Sequence, residues 1–231
     1  MKIFCIVGTR PEFIKVFPVY LELKKRAQHN KALEIKWICT SQHKDLLKDL
    51  EEFFQIKPDY KFKIKDSNNP STRLGELNSQ ILDQATKLFD KEKPDLIFVQ
   101  GDTLSAQACA QAAFYQRIKI AHIEAGLRTQ SIINPFPEEF SRRIISQIAD
   151  YNFAPDTKAL ENLQKEQELF KLDSKSLQTG NTVVDTLNYS LDRISQKDFS
   201  WNAFPEIKES FNSNSCSPGE KYILVTAHRR E

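Results

Sequence analysis

The feature that most constrains the fold is an alternation. Short runs of β-branched and aromatic residues, KIFCIV at 2–7, EIKWIC at 34–39, DLIFVQ at 95–100, KIAHIEA at 119–125 and YNFAP at 151–155, recur with longer amphipathic segments between them. Those segments, near 11–27, 43–54, 72–91, 103–116, 137–150, 157–168 and 182–194, have helix length and helical spacing. A strand that is apolar on both faces must be covered on both, and helix-length connections make neighbouring strands parallel. The expected fold is therefore α/β, a Rossmann-like doubly wound parallel sheet. Sheets of this kind bind ligands beyond the carboxyl ends of their strands, where the strand-to-helix loops converge.

Composition excludes several other classes. Hydrophobic residues make up 40% and charged residues 28% of 231, the balance of a folded globular chain with a sizeable core. Thirty-three Lys and Arg against thirty-one Asp and Glu leave a charge of +2, so no nucleic-acid partner is expected and any anion site must be local. No run approaches the ~18 apolar residues of a membrane span, and IFCIV is shorter than a signal-peptide core, so no membrane partner is expected either. Cys5, Cys39, Cys109 and Cys216 form no close pair, which argues against a disulfide framework or zinc site and for a cytoplasmic location. From Gln196 to Glu220 the pattern dissolves into Ser, Asn and Pro before KYILVT begins another apolar run. The expected organisation is one domain over 1–195, a linker over 196–220 and the first strand of a second domain over 221–231.

Three polar clusters fall at expected strand ends. GTRPEFIK at 8–15 has a glycine for a tight turn, Pro11 for a first helical turn, and the cations Arg10 and Lys15 beside free helix amides. GDT at 101–103 offers Asp102 either as a chemical carboxylate or as a helix cap, with Thr103 an equally good cap. HIEAGLRTQSIINPFPEEFSRR at 122–143 brings Glu124 to the same sheet edge, followed by Glu138 and Glu139 in the first turn of a helix. Arg128, Arg142 and Arg143 are there to neutralise those carboxylates. His122, among apolar neighbours, reads as a strand residue; His228 begins HRRE at an expected helix start, where a phosphate would meet amides and two arginines. Gln42 and His43 follow a strand as a polar helix start. Neither the GxGxxG nor the Walker fingerprint occurs. The residues alone yield an acidic site with basic neighbours, and no reaction.

Together, GTRPEFIK, GDT, HIEAGLR with NPFPEE, TGNTVVD at 179–185 and TAHRRE at 226–231 resemble the non-hydrolysing UDP-N-acetylglucosamine 2-epimerases of bacteria, in the family's order. That resemblance implies the first half of a two-domain, glycosyltransferase-B-like architecture, with the second domain binding the nucleotide. It implies reversible inversion at C2 to UDP-N-acetylmannosamine, by elimination of UDP to a glucal and its re-addition, with no cofactor. Asp102, Glu124 and Glu138 then become acid/base candidates, His228 a diphosphate stabiliser, and Arg10 and Lys15 substrate ligands. Gln42 and His43 match a segment associated with a second, regulatory UDP-sugar site, with Leu46 where Met is usual. A homodimer is implied too. The family extends well beyond HRRE, so residues 1–231 alone are expected to show little epimerase activity. Rival readings are an epimerase of another UDP-N-acetylated sugar, a hydrolysing relative, and a truncated domain that only binds.

Overall fold

The computed structural model describes residues 1–42, 47–67 and 69–195. The elements run β1 (Lys2–Val7), α1 (Arg10–His29), β2 (Glu34–Cys39), α2 (Lys48–Phe54), β3 (Tyr60–Lys61), α3 (Arg73–Glu92), β4 (Leu96–Gln100), α4 (Leu104–Tyr115), β5 (Lys119–Ile123), α5 (Glu138–Ile148), β6 (Tyr151–Ala154), α6 (Thr157–Phe170), β7 (Lys175–Gln178) and α7 (Val183–Ser195). The strands form one parallel sheet in the order β3-β2-β1-β4-β5-β6-β7. This is the doubly wound α/β fold expected from the alternation.

The chain winds outward from β1 through β2 to β3, returns to the other side of β1 at β4, and winds outward again. The switch point therefore lies between β1 and β4, whose registers pair Ile3 with Leu96 and Cys5 with Phe98. Loops leaving these two strands diverge to opposite faces and open a crevice at their carboxyl ends. β1 and β4 are buried over most of their length because both faces are covered. On one face, Trp37, Phe13, Phe17 and Phe54 pack as tilted and edge-on aromatic pairs between β2, α1 and α2. On the other, Phe4, Ile97, Ile81 and Phe89 meet the small side chains of α4. The alanines of LSAQACAQAAFY let that helix lie close to both sheet and α3.

Two short edge strands, β3 and β7, lack the apolar runs that marked the others. KSLQ is mostly exposed and pairs on one side only, so it needs no continuous apolar sequence. β5 stops at Ile123 although the apolar pattern of KIAHIEA continues, because Glu124 turns into the left-handed region (φ 60). Gly126, at φ 91 and packed against the Ala159 carbonyl, completes the turn.

Pro18 sits inside α1 and has no amide to give the Ile14 carbonyl. Thr186 Oγ donates to that carbonyl at 2.5 Å, and Thr182 Oγ donates to the Lys15 carbonyl at 2.6 Å. Thr186, just past TGNTVVD, thus takes the carbonyl that the proline leaves open, and Thr182 within that segment bonds the next carbonyl along. The chain divides into two compact units, Met1–Leu187 and Asn188–Glu231. The expected linker and the strand at 221–226 lie outside the described residues. Among the described residues no helix is long and apolar enough to cross a membrane.

Candidate active site

The carboxyl ends of β1, β4 and β5 carry the expected clusters, and the structure brings most of them together. Thr103 is the N-cap of α4, its hydroxyl accepting from the Ala106 amide at 3.0 Å. Asp102 is thereby relieved of capping, the ordinary role that competed with a chemical one. Its carboxylate instead meets the Arg142 guanidinium from α5, through Nε at 3.0 Å and through Nη2.

Glu124 is held by three donors. Lys15 Nζ approaches both oxygens at 2.7 and 2.5 Å, Gln100 Nε2 donates to Oε2, and Asn181 Nδ2 donates to Oε1 at 3.1 Å. Only 13% of the side chain is exposed, so the carboxylate is both oriented and charge-balanced. Its oxygen comes within 3.9 Å of where a side chain on Gly101 would project, which puts Asp102 and Glu124 on adjoining strand ends.

Glu138 opens α5, and Arg142 is one turn further on the same face. Because Arg142 reaches Asp102, the start of α5 is drawn to the same edge as Asp102 and Glu124. Glu139 does something else. It is fully buried and accepts from Arg142 Nη1 at 3.2 Å and Arg143 Nε at 2.7 Å, while Arg143 also donates to the Thr129 carbonyl at 2.9 Å. This pins α5 to its preceding loop, which contains cis Asn134–Pro135 and Phe136–Pro137 bonds. Arg128 is likewise engaged away from the site, bidentate to Glu166 of α6 at 2.6 and 2.7 Å.

Arg10 and Gln42 are engaged away from these carboxylates. Arg10 lies at the first turn of α1, half exposed, and pairs with Asp49 of α2 at 3.6 Å rather than with the carboxylates. Gln42 Oε1 accepts from Ser105 Oγ at 2.7 Å and from the Ser105 amide at 3.2 Å, so it satisfies the start of α4. His43 and His228 lie outside the described residues. Among the described residues no group of three or more His, Cys, Asp or Glu is arranged to hold a metal ion.

Three further residues shape these strand ends, and His122 among them lies in β5, the strand position its apolar neighbours implied. His122 is buried, and burial brings its imidazole down to about 4, so it is neutral at ordinary pH. Its Nε2 lies 2.7 Å from the Gly101 carbonyl, which requires the proton on Nε2 and fixes the residue before Asp102. Glu12, only 1% exposed, accepts from the Gly8 amide at 2.8 Å and from Thr103 Oγ at 2.6 Å. Burial pushes its carboxyl up to about 7. The Thr9-x-x-Glu12 spacing of a capping box was the available signal for it. Asn181, in TGNTVVD, was legible only as part of a motif. Gly8 is required for closeness: a side chain there would fall 2.2 Å from both Ser105 Oγ and Thr40 Oγ.

The fold and site define a doubly wound α/β domain that gathers ion-paired carboxylates from several elements at the carboxyl edge of its parallel sheet. Comparison with known proteins narrows that class. Residues 25–231 match the family model for UDP-N-acetylglucosamine 2-epimerase. The chain is 39% identical over 234 residues to the UDP-N-acetylglucosamine 2-epimerase of Neisseria meningitidis serogroup A and 40% identical over 231 residues to that of Campylobacter jejuni, all of it aligning in both cases. It covers 58% and 57% of those relatives, and so spans little more than half their length. A crystal structure of the Neisseria meningitidis epimerase bound to UDP-GlcNAc superposes with a TM-score of 0.77 at 37% identity, over 91% of this chain and 54% of that one. A UDP co-structure of S. aureus MnaA gives 0.75 at 34% identity, over 90% and 51%. The chain belongs to the UDP-N-acetylglucosamine 2-epimerase family.

Proposed function

We propose that this chain supplies the sugar-side half of a UDP-N-acetylglucosamine 2-epimerase active site. The observation that carries the reading is the paired arrangement of Asp102 with Arg142 and Glu124 with Lys15 on adjoining strand ends, with Glu138 one turn from Arg142. A reaction that lifts a proton from one face of C2 and returns one to the other requires carboxylates on more than one element. One carboxylate takes the C2 proton as the C1–O bond to UDP breaks, giving UDP and a 2-acetamidoglucal. Re-addition of UDP at C1, with a proton delivered to the opposite face of C2, yields UDP-N-acetylmannosamine. Arg10, Lys15 and the start of α1 provide positive potential for the substrate, and His228 is assigned to the leaving diphosphate. Gln42 and His43 are assigned to a second UDP-sugar site. The buried free thiols of Cys5, Cys39 and Cys109 favour a cytoplasmic location.

Proton NMR of UDP-GlcNAc in D2O tests this. A chain of family length is expected to form UDP-N-acetylmannosamine carrying deuterium at C2, and residues 1–231 alone little or none. Free N-acetylmannosamine with UDP would identify a hydrolysing relative, and no conversion at family length would sink the reading.

An apolar groove of about 610 Å3 between α3, α4 and α5, lined by Leu74, Leu104, Phe136, Phe140 and Ile148, is assigned to a second copy of the chain. Phe114, Tyr115 and Phe136 are more than half exposed beside it, so one face offers both ridge and groove, as a two-fold interface requires. Sedimentation of Phe114→Glu should show monomers where the parent shows dimers; a monomeric parent rejects the assignment.

A further inference from the structure

Asp102 is flanked by two residues that are each gripped by a buried titratable side chain. Before it, the Gly101 carbonyl takes the hydrogen bond of His122. After it, the Thr103 hydroxyl donates to Glu12, whose second oxygen accepts the Gly8 amide. Glu12 therefore ties the β1–α1 turn to the β4–α4 turn across the switch point, where the sheet itself no longer joins the two loops.

We propose that Glu12 is a positioning residue for Asp102, clamping the two switch-point turns together in its ionised form and relaxing the Gly101–Thr103 turn when it is protonated. The inference rests on the acid/base role given above to Asp102. Its chemistry follows from the donor count. Thr103 Oγ accepts from the Ala106 amide and donates its own proton to Glu12, so it needs an acceptor there. The Gly8 amide needs one too. The carboxylate accepts both bonds as a charged acceptor on separate oxygens; in the carboxylic acid one oxygen carries a proton and becomes a donor and a poorer acceptor, which weakens the bond it received.

The position of the titration favours a response at neutral pH, since burial raises this carboxyl to about 7. The titratable group facing Glu12 from α4 is the Cys109 thiol, which burial keeps neutral. The charged groups of the neighbouring turns are engaged elsewhere: Lys15 with Glu124, Asp102 with Arg142, and Arg10 with Asp49.

The test needs no substrate, so its failure is distinct from failure of the epimerase reading. Carboxyl-carbon and amide shifts of isotopically labelled 1–231 are followed from about pH 5 to about pH 9, in the parent, Glu12→Gln, Thr103→Val and Thr103→Ser. In the parent, the Gly8 and Thr103 amides and the Asp102 carboxyl carbon are expected to share a transition near 7. Glu12→Gln and Thr103→Val should abolish that transition at Asp102, and Thr103→Ser, which keeps the hydroxyl, should restore it. An Asp102 curve that is the same in the parent and Glu12→Gln overturns the proposal. If Glu12→Gln does not fold, Thr103→Val against Thr103→Ser decides it: a transition present in both, or absent from both, overturns it.

Discussion

Lys15 sets its ammonium against both carboxylate oxygens of Glu124, at 2.7 and 2.5 Å, across 109 residues of chain. Glu124 is held in a left-handed backbone conformation, one that side chains beyond glycine adopt only when surroundings enforce it. Removing the ammonium leaves a mostly buried carboxylate with two amide donors. Lys15→Met is therefore expected to destabilise the fold by ~1–3 kcal/mol, less than a fully buried pair because both groups keep some solvent. The urea midpoint of Lys15→Met against the parent measures this, and an unchanged midpoint would mean that solvent already screens the pair.

Glu138 and Glu139 are neighbours, and the proposed function gives them different roles. Glu139 neutralises two guanidiniums in full burial, so Glu139→Gln should lower stability by ~2–4 kcal/mol. Glu138→Gln should stay within ~1 kcal/mol of the parent and, at family length, abolish turnover. Equal losses of stability in the two variants would contradict this division.

Thr186 and Pro18 are coupled through a carbonyl neither of them owns. Thr186→Val leaves the Ile14 oxygen without its 2.5 Å donor and should cost ~1–2 kcal/mol. In a Pro18→Ala background the restored helix amide can take that oxygen, so the same change should cost less than half as much. Additive effects in the double-mutant cycle would show that the hydroxyl is not compensating for the proline.

Three glycines should respond differently to one methyl group. Gly126→Ala meets the Ala159 carbonyl at 2.2 Å and a positive φ, so it should destabilise by more than ~2 kcal/mol. Gly8→Ala meets two hydroxyls at the same distance and should also destabilise, though side chains can move where backbone cannot. Gly75 lies within α3 with open space around it, and Gly75→Ala should stabilise by ~0.5–1 kcal/mol. Thermal melts of the three variants give the order.

Glu12 and His122 pull the pH dependence of stability in opposite directions. With Glu12 raised from 4.5 to about 7, the folded chain keeps a proton that the unfolded chain loses, so stability falls as pH rises through that window. With His122 lowered from 6.5 to about 4, the unfolded chain holds the extra proton, so stability rises with pH over its window. Between 4.5 and 6.5 the two contributions oppose each other. Glu12→Gln should expose a rise in stability of up to ~3 kcal/mol across that range, and His122→Gln a fall continuing toward 7. Denaturation midpoints at both ends of the range test this; parallel profiles in all three proteins would contradict it.

Much of the fold was legible because apolar runs report burial on both faces of a strand. KIFCIV and EIKWIC became β1 and β2 residue for residue, and the loops after β1, β4 and β5 were located before any partner was known. KSLQ was not legible, since an edge strand is specified by its neighbour's backbone and not by its own side chains. The capping alternative for Asp102 fell away only when Thr103 proved to be the cap, a matter of one hydroxyl's distance to one amide.

By itself, the order of residues determined the sheet's class, the strand ends at which Asp102 and Glu124 would stand, the helix start at Glu138, and the family motifs around them. Tertiary structure decided which charges meet. In HIEAGLRTQSIINPFPEEFSRR, Arg142 went to Asp102 and Arg128 to Glu166, pairings 40 and 38 residues apart that leave no periodic trace in the chain, whereas Glu139 took Arg142 and Arg143 at ordinary helical spacing. The same holds for Glu12, a charged residue in a helix's first turn that reads as solvated until β1 and α4 close over it. Local spacing encodes which face of an element is apolar, whereas the environment of a polar group is set by elements far away in sequence, and only the folded chain brings them within hydrogen-bonding distance.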